Sequence, residues 1–422
     1  MDKHRDELRW AMIKRPQNGL KAVDLFCGAG VGASGITLAG YDIVWAVDVK
    51  DYAVNTYNNN IGCHAVVKDI RKVIPSDIPD HDLMIATPVC KTFSFAGNGE
   101  GVENKDFGDL SYHFYRLLKE KKPKAFLFEN VDGMVSKKHR PFFDGFVKMI
   151  EDTGYVVTWK VVNCYEYGVP QHRKRVLMVG IRADLNKKFE FPEIVPEDER
   201  TTIRYAIGDL PDPDMVMNSK KDIQFINDEK STIDNHSGYG IRNDEKPFID
   251  KVPAGGNWRD LPEEDAKTFM GKAYYSGGGR TGFLRKVAFN KPAHTITSTM
   301  NGKNNSQIVD NQDKYYEGDF SPRYLSRNRQ RQWEEASFTI CSEARQLPLY
   351  PEPANYDIRQ MDKYDVPPPR RFTVRECLRL QTVPDWFSFD DSIDLKKQYE
   401  RCSGIPSLVA YKLAIELEKY LL

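Results

Sequence analysis

The segment KAVDLFCGAGVG, residues 21–32, places a short apolar run directly before three closely spaced glycines. Such a run predicts a buried β-strand, and the glycines predict a tight turn into a helix. Glycines in this turn let the backbone approach a ligand closely, and an acidic residue about 20 positions later can bind ribose hydroxyls. Asp48 lies 20 residues after Gly28. The pattern predicts a nucleotide-type pocket that suits nicotinamide dinucleotides and S-adenosylmethionine equally well.

Apolar runs and helix-length segments continue to alternate as far as about Ile181. This alternation predicts an α/β fold with a doubly wound, mostly parallel sheet that is covered by helices on both faces. A segment with helical apolar spacing, 405–422, predicts a helix that returns to the core. The predicted strands are 22–26, 43–47, 65–67, 83–86 and 125–128, with a closing pair at 155–162 and 176–181, and the predicted helices include 52–60 and 110–121.

The composition excludes several classes of protein. Lys and Arg number 61 and Asp and Glu number 61, so any basic surface for nucleic acid must be local. The seven cysteines and eight histidines show no metal-ligand spacing, which predicts neither a metal site nor a disulfide framework. No apolar stretch is long enough to cross a membrane, and the charged first residues do not resemble a secretory signal. We therefore expect a cytoplasmic protein that does not associate with membranes.

The composition of the sequence changes after Arg182: the strand–helix alternation ends, and the stretch that follows is rich in prolines and predicted loops. We place a domain boundary near residue 199. Residues 199–269 contain 10 basic and 15 acidic side chains, whereas residues 270–345 contain 12 basic and 7 acidic ones. In the basic segment, arginines 323–331 are interleaved with aromatic residues, a mixture suited to contact with a nucleic-acid backbone. A solvated charged face is the simpler interpretation of that run.

Three further blocks carry residues of chemical interest. Cys90 follows the fourth predicted strand, Glu129 ends the fifth, and the segment QHRKR, 171–175, precedes the last. Ligands bind at the carboxyl ends of parallel strands, which would bring Cys90 and Glu129 to one cleft. Taken singly, each block has a plainer explanation: a buried structural cysteine, an acid that caps a helix and a solvated basic turn.

Together with the segment RFTVRECLRLQTVPD, 371–385, these blocks occur in the order and spacing of the DNA (cytosine-5) methyltransferase family. The chain resembles the bacterial and phage members of that family from about residue 21 to 182 and from 370 to 410. The resemblance implies a sheet of the S-adenosylmethionine-dependent methyltransferase type and a smaller, irregular DNA-recognition domain. We assign residues 1–198 and 387–422 to catalysis and donor binding, and 199–386 to the small domain, with a target-recognition region at about 236–345.

The resemblance also implies a mechanism. Cys90 would add as a thiolate to C6 of a cytosine that has been flipped out of the duplex, so that C5 can attack a sulfonium methyl group. Glu129 would hydrogen-bond at N3 of the ring, where negative charge develops. Arg173 and Arg175 would hold the base carbonyl and the cysteine loop and lower the pKa of the thiol.

The resemblance further implies S-adenosylmethionine as cofactor, double-stranded DNA as substrate and no metal. A cognate restriction endonuclease would be the partner in a restriction-modification system, and we expect a monomer. The implied cofactor-binding residues are Phe26, Gly28, Gly30, Gly32, Asp48, Asp69, Ile70, Pro88 and Ser403, and the implied DNA-binding residues are Gln171, Arg285, Thr295, Arg327 and Arg329.

The chain departs from the family near the donor. The family's Pro-Cys-Gln is Val89-Cys90-Lys91 here, and its Gly-Asn-Ala-Val-Pro is the segment 402–406, with Ser403 in place of Asn. Three interpretations are open. The changes are drift in a methyltransferase, an adaptation to a bulkier acidic donor such as carboxy-S-adenosylmethionine, or marks of a homologue that binds DNA without catalysis. The retained Cys90, Glu129 and arginines argue against the last.

Two other functions compete with DNA methylation. A nicotinamide oxidoreductase would not need the ordered cysteine, Glu-Asn-Val and Gln-x-Arg-x-Arg blocks. An RNA cytosine methyltransferase of the same family is the second, and the length of the recognition region argues against it.

Overall fold

The computed structural model describes residues 14–88, 110–207, 210, 214–215, 235, 237–238, 245–249, 251–253, 256–275, 284–286, 297–298, 307–308, 336–338, 345–346 and 372–422. The chain divides into two compact units. The first, which we call the sheet unit, takes its described residues from Ala11–Tyr167, Lys174–Pro196 and Gly404–Leu422. The second unit takes its described residues from Gly168–Arg173 and Glu197–Ser403.

Within the described residues, seven strands of the sheet unit form one sheet in the order β3-β2-β1-β4-β5-β8-β6. The first five are parallel, and β8 runs antiparallel between β5 and β6. Because both faces are covered, the inner strands are continuous apolar runs, and the predicted α/β fold is confirmed. The strands are β1 (Lys21–Leu25), β2 (Asp42–Asp48), β3 (Ala65–Val67), β4 (Leu83–Ala86), β5 (Ala125–Val131), β6 (Tyr155–Asn163), β7 (Gln171–His172, in the second unit) and β8 (Lys174–Arg182).

The helices include every one that the sequence predicted, and others that it did not, such as α4. In chain order they are α1 (Val31–Leu38), α2 (Asp51–Asn60), α3 (Leu110–Lys121), α4 (Arg140–Glu151), α5 (Ile203–Ile207), α6 (Lys246–Ile249), α7 (Glu263–Met270), α8 (Val374–Leu380), α9 (Leu395–Arg401) and α10 (Ser407–Leu421).

Helices α1 and α10 pack tightly against each other in the sheet unit. A Cβ atom at Gly35 would overlap the Ser407 carbonyl oxygen, so glycine is what permits the close approach. The Ser34 hydroxyl donates to the Ser407 hydroxyl at 2.8 Å, and the Tyr41 hydroxyl donates to the Ala414 carbonyl at 3.0 Å. The C-terminal helix therefore completes the core of the sheet unit, as its apolar spacing predicted.

Aromatic side chains fill the core on the other face of the sheet. Phe114 of α3 contacts Phe126 and Phe128 of β5 with ring centroids 5.4 and 5.2 Å apart. Phe146 of α4 lies 5.5 Å from Phe128, and all of these rings are buried. Such tilted and edge-on pairs add to the stability that burial provides. This core fixes β5, the strand that carries Glu129.

The second unit is organised around α8 and a single asparagine. A capping box joins Thr373 to Glu376 at the start of α8. Asn235 adopts a left-handed conformation with φ of 60°, accepts from the Phe389 amide at 2.9 Å and donates to the Gln398 side chain at 3.3 Å. The second unit includes residues 387–403, and the assignment of 387–403 to the donor-binding domain stays a prediction. The observed break at Glu197 lies close to the boundary predicted near residue 199.

Most of the predicted target-recognition region lies outside the described residues. Short strands are described there and next to it: β9 (Asp214–Met215), β10 (Ser237–Gly238), β11 (Arg285–Lys286), β12 (Thr297–Ser298), β13 (Gln307–Ile308), β14 (Ser337–Phe338) and β15 (Arg345–Gln346). They pair as β9 with β10, β11 with β13, β12 with β15 and β14 with β7. In the part of the chain that the structure describes, no helix has the length and apolarity needed to span a membrane.

Candidate active site

The carboxyl edge of the parallel strands gathers most of the predicted cofactor residues of the sheet unit. Gly28 follows β1, Asp48 ends β2, Asp69 follows β3 and Pro88 follows β4. Glu129 lies near the end of β5. Thr87 ties two of these strand ends together, because its hydroxyl donates to the Phe26 carbonyl at 3.2 Å. Five strand ends therefore present these residues along one edge, where open α/β sheets bind ligands.

The glycine turn has the backbone conformation that its sequence predicts. Phe26, Gly28 and Gly30 have φ values of 62°, 54° and 94°. A Cβ atom at Gly30 would lie 2.8 Å from Ile61 Cγ1, so a side chain there would force the neighbouring residues apart. At Gly28 no atom of the described residues, its chain neighbours apart, lies within 4 Å of the Cβ position, which leaves space above the turn. Glycine at 30 serves packing, whereas glycine at 28 leaves room for a ligand.

Asp48 is held in place by the backbone that surrounds the turn. Its Oδ2 accepts a hydrogen bond from the Gly28 amide at 3.1 Å, and its Oδ1 accepts from the Lys50 amide at 2.9 Å. Each carboxylate oxygen can still accept another hydrogen bond. The residue therefore fits the predicted role of binding ribose hydroxyls beside a turn with open space.

Asp69 is committed to an ion pair. Arg71 binds its carboxylate through Nε and Nη2 at 3.0 and 2.7 Å, and these hydrogen bonds lower the pKa of Asp69. The same carboxylate caps the short 3₁₀ helix Ile70–Lys72 by accepting from the Arg71 amide. Ile70 is buried. Asp69 keeps its predicted position after β3, with Arg71 as its immediate partner.

Glu129 and Arg175 form a buried ion pair between β5 and β8. Arg175 Nε lies 2.8 Å from Glu129 Oε1, and the two side chains are 12 and 9 % exposed. Their strands are antiparallel neighbours, with Val131 opposite Arg175 and Leu177 opposite Glu129. A mostly buried ion pair of this kind restricts the conformations of its carboxylate more than a solvent-exposed pair does. The structure thus brings together two residues that lie 46 positions apart in the sequence.

Gln171, His172 and Arg173 of the QHRKR segment belong to the second unit. Arg173 is 3 % exposed. Gln171 is fully buried, and its Nε2 donates to the Leu380 carbonyl at 3.0 Å. Gln171 therefore holds the end of α8, and its contact with DNA stays a prediction.

The segment that follows Ser403 packs against the start of α1. Ile405 fills the space above Gly32, where a Cβ atom would overlap its Cγ2. A Cβ atom at Gly404 would lie 3.5 Å from Val31 Cβ, in ordinary contact. Ser403 itself is half-buried, directly before these residues. The segment 404–405 thus contacts the first residues of α1, the helix that follows the glycine turn.

Several predicted site residues lie outside the described residues: Cys90, Lys91, Thr295, Arg327 and Arg329. Arg285 lies in β11, whose backbone pairs with β13. Among the residues that the structure does describe, no group of three metal-binding side chains comes together.

Asp24 is a candidate that the sequence analysis did not single out. It is 4 % exposed, and burial, assisted by the nearby charge of Asp48, raises its pKa to about 8. The sequence pattern could have identified Asp24, because it is an acid within an apolar strand and burying an unpaired carboxylate costs free energy. The neighbouring Asp48, which strengthens the effect, comes close only in the folded sheet.

Comparisons with known proteins agree on one family. The model of the C-5 cytosine-specific DNA methylases matches residues 20–419. The Type II methyltransferase M.MthTI of Methanothermobacter thermautotrophicus is 34 % identical over 400 residues, which cover 93 % of this chain and 94 % of that protein. M.FnuDI of Fusobacterium nucleatum is 29 % identical, with 95 % of each chain covered.

Among solved structures, a prophage-encoded Escherichia coli protein described as a DNA modification methyltransferase is similar in fold. Its TM-score is 0.56 at 20 % sequence identity, and the match covers 96 % of this chain and 99 % of that one.

Proposed function

Because this chain belongs to the C-5 cytosine-specific DNA methylase family, we propose that it transfers a methyl group from S-adenosylmethionine to C5 of a cytosine in a specific duplex sequence. The observation that carries the proposal is the buried Glu129–Arg175 pair, which lies on the same sheet edge as the glycine turn. The space at Gly28 and the Asp48 carboxylate suit a nucleoside donor. The oriented Glu129 carboxyl group suits a reacting base beside that donor.

The chemistry follows from the weak nucleophilicity of cytosine C5. The Cys90 thiolate adds to C6 of a flipped-out cytosine, and the ring electrons then become available at C5. The carboxyl group of Glu129 hydrogen-bonds at N3 and favours a proton staying there, which neutralises the negative charge that addition places on the ring. The sulfonium donor supplies an electrophilic methyl group. After C5 has attacked it, a base removes the C5 proton, the C5–C6 double bond re-forms and Cys90 leaves as a thiolate.

Arg175 prepares Glu129 for this role. A carboxylate that must meet one ring nitrogen loses effectiveness if it samples several rotamers, because catalysis depends on its alignment with the reacting base. The 2.8 Å contact between Arg175 Nε and Glu129 Oε1 restricts that freedom. Since the pair is mostly buried, water competes little for either group.

A second candidate function uses the same chemistry with a carboxymethyl group. The observation that favours it is Ser403, which replaces a larger asparagine directly before the segment that packs on α1. Lys91 adds a cation that could pair with a carboxylate on the donor. Such a charge-assisted contact contributes about 1.5–3 kcal/mol when partly desolvated, which is enough to change a donor preference tenfold or more. Contact of Lys91 with a DNA phosphate is the simpler alternative.

One experiment tests both functions. Purified protein is incubated with duplex DNA, S-adenosylmethionine and its carboxy derivative together, and the nucleosides are then analysed by mass spectrometry. We expect 5-methylcytosine from the first function, with 5-carboxymethylcytosine also present if the donor pocket is specialised. DNA without any modified cytosine would contradict the proposal.

The double variant Lys91→Gln with Ser403→Asn is the matched control for the donor pocket. In a specialised pocket it should shift the product toward methylcytosine alone, with its total activity maintained. If wild type and variant both form only methylcytosine, the two substitutions are drift and the second candidate is excluded.

Neutralising Arg327 and Arg329 should weaken DNA binding, because both lie in the locally basic segment of the recognition region. Each lost phosphate contact should reduce the slope of log affinity against log salt by about one unit. If one arginine instead reads guanine, its loss should cost about 1–3 kcal/mol at one base pair and relax sequence choice there. Binding is measured by fluorescence anisotropy at several salt concentrations.

The matched control removes the same number of charges from exposed lysines, Lys148→Gln with Lys419→Gln. These side chains are 74 and 64 % exposed near the ends of α4 and α10. Both lysines lie outside the basic segment 270–345, so the control should leave the salt slope unchanged. If the arginine variant behaves like this control, the arginine cluster is an ordinary solvated face.

The biological setting that we propose is protection of DNA from a restriction endonuclease that cuts the same sequence. The relatives M.MthTI and M.FnuDI are named Type II methyltransferases, which supports that setting.

A further inference from the structure

The guanidinium of Arg116, on α3, contacts the backbone of the turn that follows β3. Its Nη2 donates to the Ile70 carbonyl at 3.3 Å and to the Val73 carbonyl at 2.8 Å. Among the described residues, no carboxylate pairs with this guanidinium. A charged donor forms stronger hydrogen bonds than a neutral donor does. Arg116 therefore directs its charge at the backbone of the segment 69–73.

The turn at 69–73 receives little support from the sheet itself. Strand β3, which leads into it, is three residues long and forms one edge of the sheet among the described residues. Within the turn, the Lys72 amide donates to the Asp69 carbonyl at 2.8 Å and the Val73 amide donates to the Ile70 carbonyl at 3.2 Å. The last carbonyls of a helical turn lack a partner within that turn. Arg116 supplies a donor to the Val73 carbonyl and a second donor to the Ile70 carbonyl.

The two carbonyls that Arg116 binds lie on either side of Arg71, the residue that holds the Asp69 carboxylate. The Arg71 amide donates to Asp69 Oδ1 at 3.0 Å, and the Arg71 side chain binds both carboxylate oxygens. The Lys68 amide donates to the Asp48 carbonyl at 3.0 Å, which joins the start of the turn to the end of β2. Fixing the backbone on both sides of Arg71 therefore fixes the direction of the Asp69 carboxylate at the ligand-binding edge of the sheet.

We propose that Arg116 is a positioning residue for S-adenosylmethionine, because it orients Asp69 to accept a hydrogen bond from the 6-amino group of the adenine ring. The inference rests on the proposed function, since it takes the donor from there. In this role Arg116 touches neither the donor nor the reacting base and acts through the turn. A hydrogen bond weakens steeply when its angle is poor, so an acceptor that can turn freely contributes less to affinity.

Arg116→Met keeps an unbranched apolar side chain on α3 and removes its hydrogen-bond donors. We expect the KM for S-adenosylmethionine and the Kd for S-adenosylhomocysteine to rise about three- to tenfold, as the loss of a net hydrogen bond predicts. The kcat at saturating donor should stay within about twofold of wild type, because the substitution leaves Cys90 and Glu129 unchanged. A kcat that falls while both KM and Kd stay at the wild-type values would contradict the proposal.

Two ligands separate the positioning of Asp69 from a general loss of structure. S-adenosylhomocysteine carries the 6-amino group, whereas S-inosylhomocysteine carries a carbonyl oxygen at that position and cannot donate from it. Isothermal titration calorimetry gives the ratio of their Kd values. Wild type should prefer the adenosyl ligand by about tenfold or more, and Arg116→Met should lose most of this preference. A variant that binds both ligands more weakly by the same factor would overturn the proposal, and so would a wild type without a preference.

Arg182→Met is the matched control, because Nη1 of Arg182 also donates to a backbone carbonyl, that of Lys122, at 2.7 Å. Arg182 ends β8 at the opposite edge of the sheet, so this variant should keep the wild-type ratio of Kd values. Arg116→Lys retains a charged donor and should recover part of the ratio. If Arg116→Met does not fold, Arg116→Lys provides the comparison, with a ratio between those of wild type and an inosine-tolerant site. A wild-type ratio in Arg116→Lys would then overturn the proposal.

The outcome is separable from that of the proposed function. An unchanged ratio in Arg116→Met, together with normal cytosine methylation by wild type, would overturn only the role of Arg116. A ratio that falls in Arg116→Met, while wild type forms no modified cytosine, would support that role and contradict the proposed reaction.

Discussion

Replacing Cys90 with alanine should abolish methyl transfer while leaving S-adenosylmethionine binding intact. Without the thiolate no bond forms at C6, and C5 stays too weak a nucleophile to attack the sulfonium. Transfer is measured with tritiated cofactor on duplex DNA, and we expect incorporation to fall to background. Cofactor affinity, measured separately by calorimetry, should stay within about twofold of wild type because the glycine turn and Asp48 are untouched.

Duplex DNA that contains 5-fluorocytosine gives the positive counterpart of this result. After methyl transfer the fluorine cannot leave as a proton does, so the Cys90–C6 bond persists and the complex survives denaturing electrophoresis. Wild type should form this adduct and Cys90→Ala should not. Cys63→Ala, which removes an exposed cysteine away from the glycine turn, serves as the matched control and should still be trapped. Full transfer by Cys90→Ala would rule out the thiol mechanism.

Replacing Arg175 with methionine should destabilise the sheet unit strongly. Glu129 would then carry a charge in a site that is 9 % exposed, without the guanidinium that lies 2.8 Å away. Breaking one side of a buried ion pair costs about 3–5 kcal/mol, because the remaining charge stays desolvated. The free energy of unfolding is measured by urea denaturation, following the tryptophan fluorescence of the chain.

Glu129→Gln separates stability from chemistry. It removes the buried negative charge but keeps a side chain that can accept from Arg175, so its stability loss should be smaller than that of Arg175→Met. Methyl transfer should nevertheless fall sharply, since an amide cannot supply the proton that neutralises negative charge at N3. The double variant should recover part of the stability that Arg175→Met loses. Additive losses in the double variant would show that the two residues do not act as a pair.

The parallel half of the sheet could be predicted because its strands are buried on both faces. Strands β3 and β4 have the predicted bounds, and β1, β2 and β5 differ from prediction by a few residues at their ends. Helix α4 was not predicted, although Phe143, Phe146 and Ile150 follow helical spacing. Asn235 hydrogen-bonds to Phe389 and Gln398 from more than 150 positions away, and no local pattern predicts such contacts.

In the candidate site too, positions set by local sequence could be predicted, whereas contacts between distant residues could not. Gly28, Asp48 and Glu129 were predictable because each follows or ends a strand, and strand ends share one edge. Arg175 was predicted to fix the base carbonyl and the cysteine loop. Its pairing with Glu129 depends on the antiparallel register of β8, which a sequence does not reveal. The Gln171 side chain donates to the Leu380 carbonyl, 209 positions away, and no local pattern predicts that contact.

The packing of α10 on α1 also orders events during protein synthesis. Most of the sheet unit precedes the second unit in the chain, yet the helix that covers Gly35 is made only after the second unit has been synthesised. Until then the apolar face of α1 lacks its cover, and an exposed face of this kind is a target for chaperones and for aggregation. The second unit can begin folding in that interval. A nascent chain that stalls before Ser407 therefore holds all the strands of the sheet but lacks the helix that locks the glycine turn.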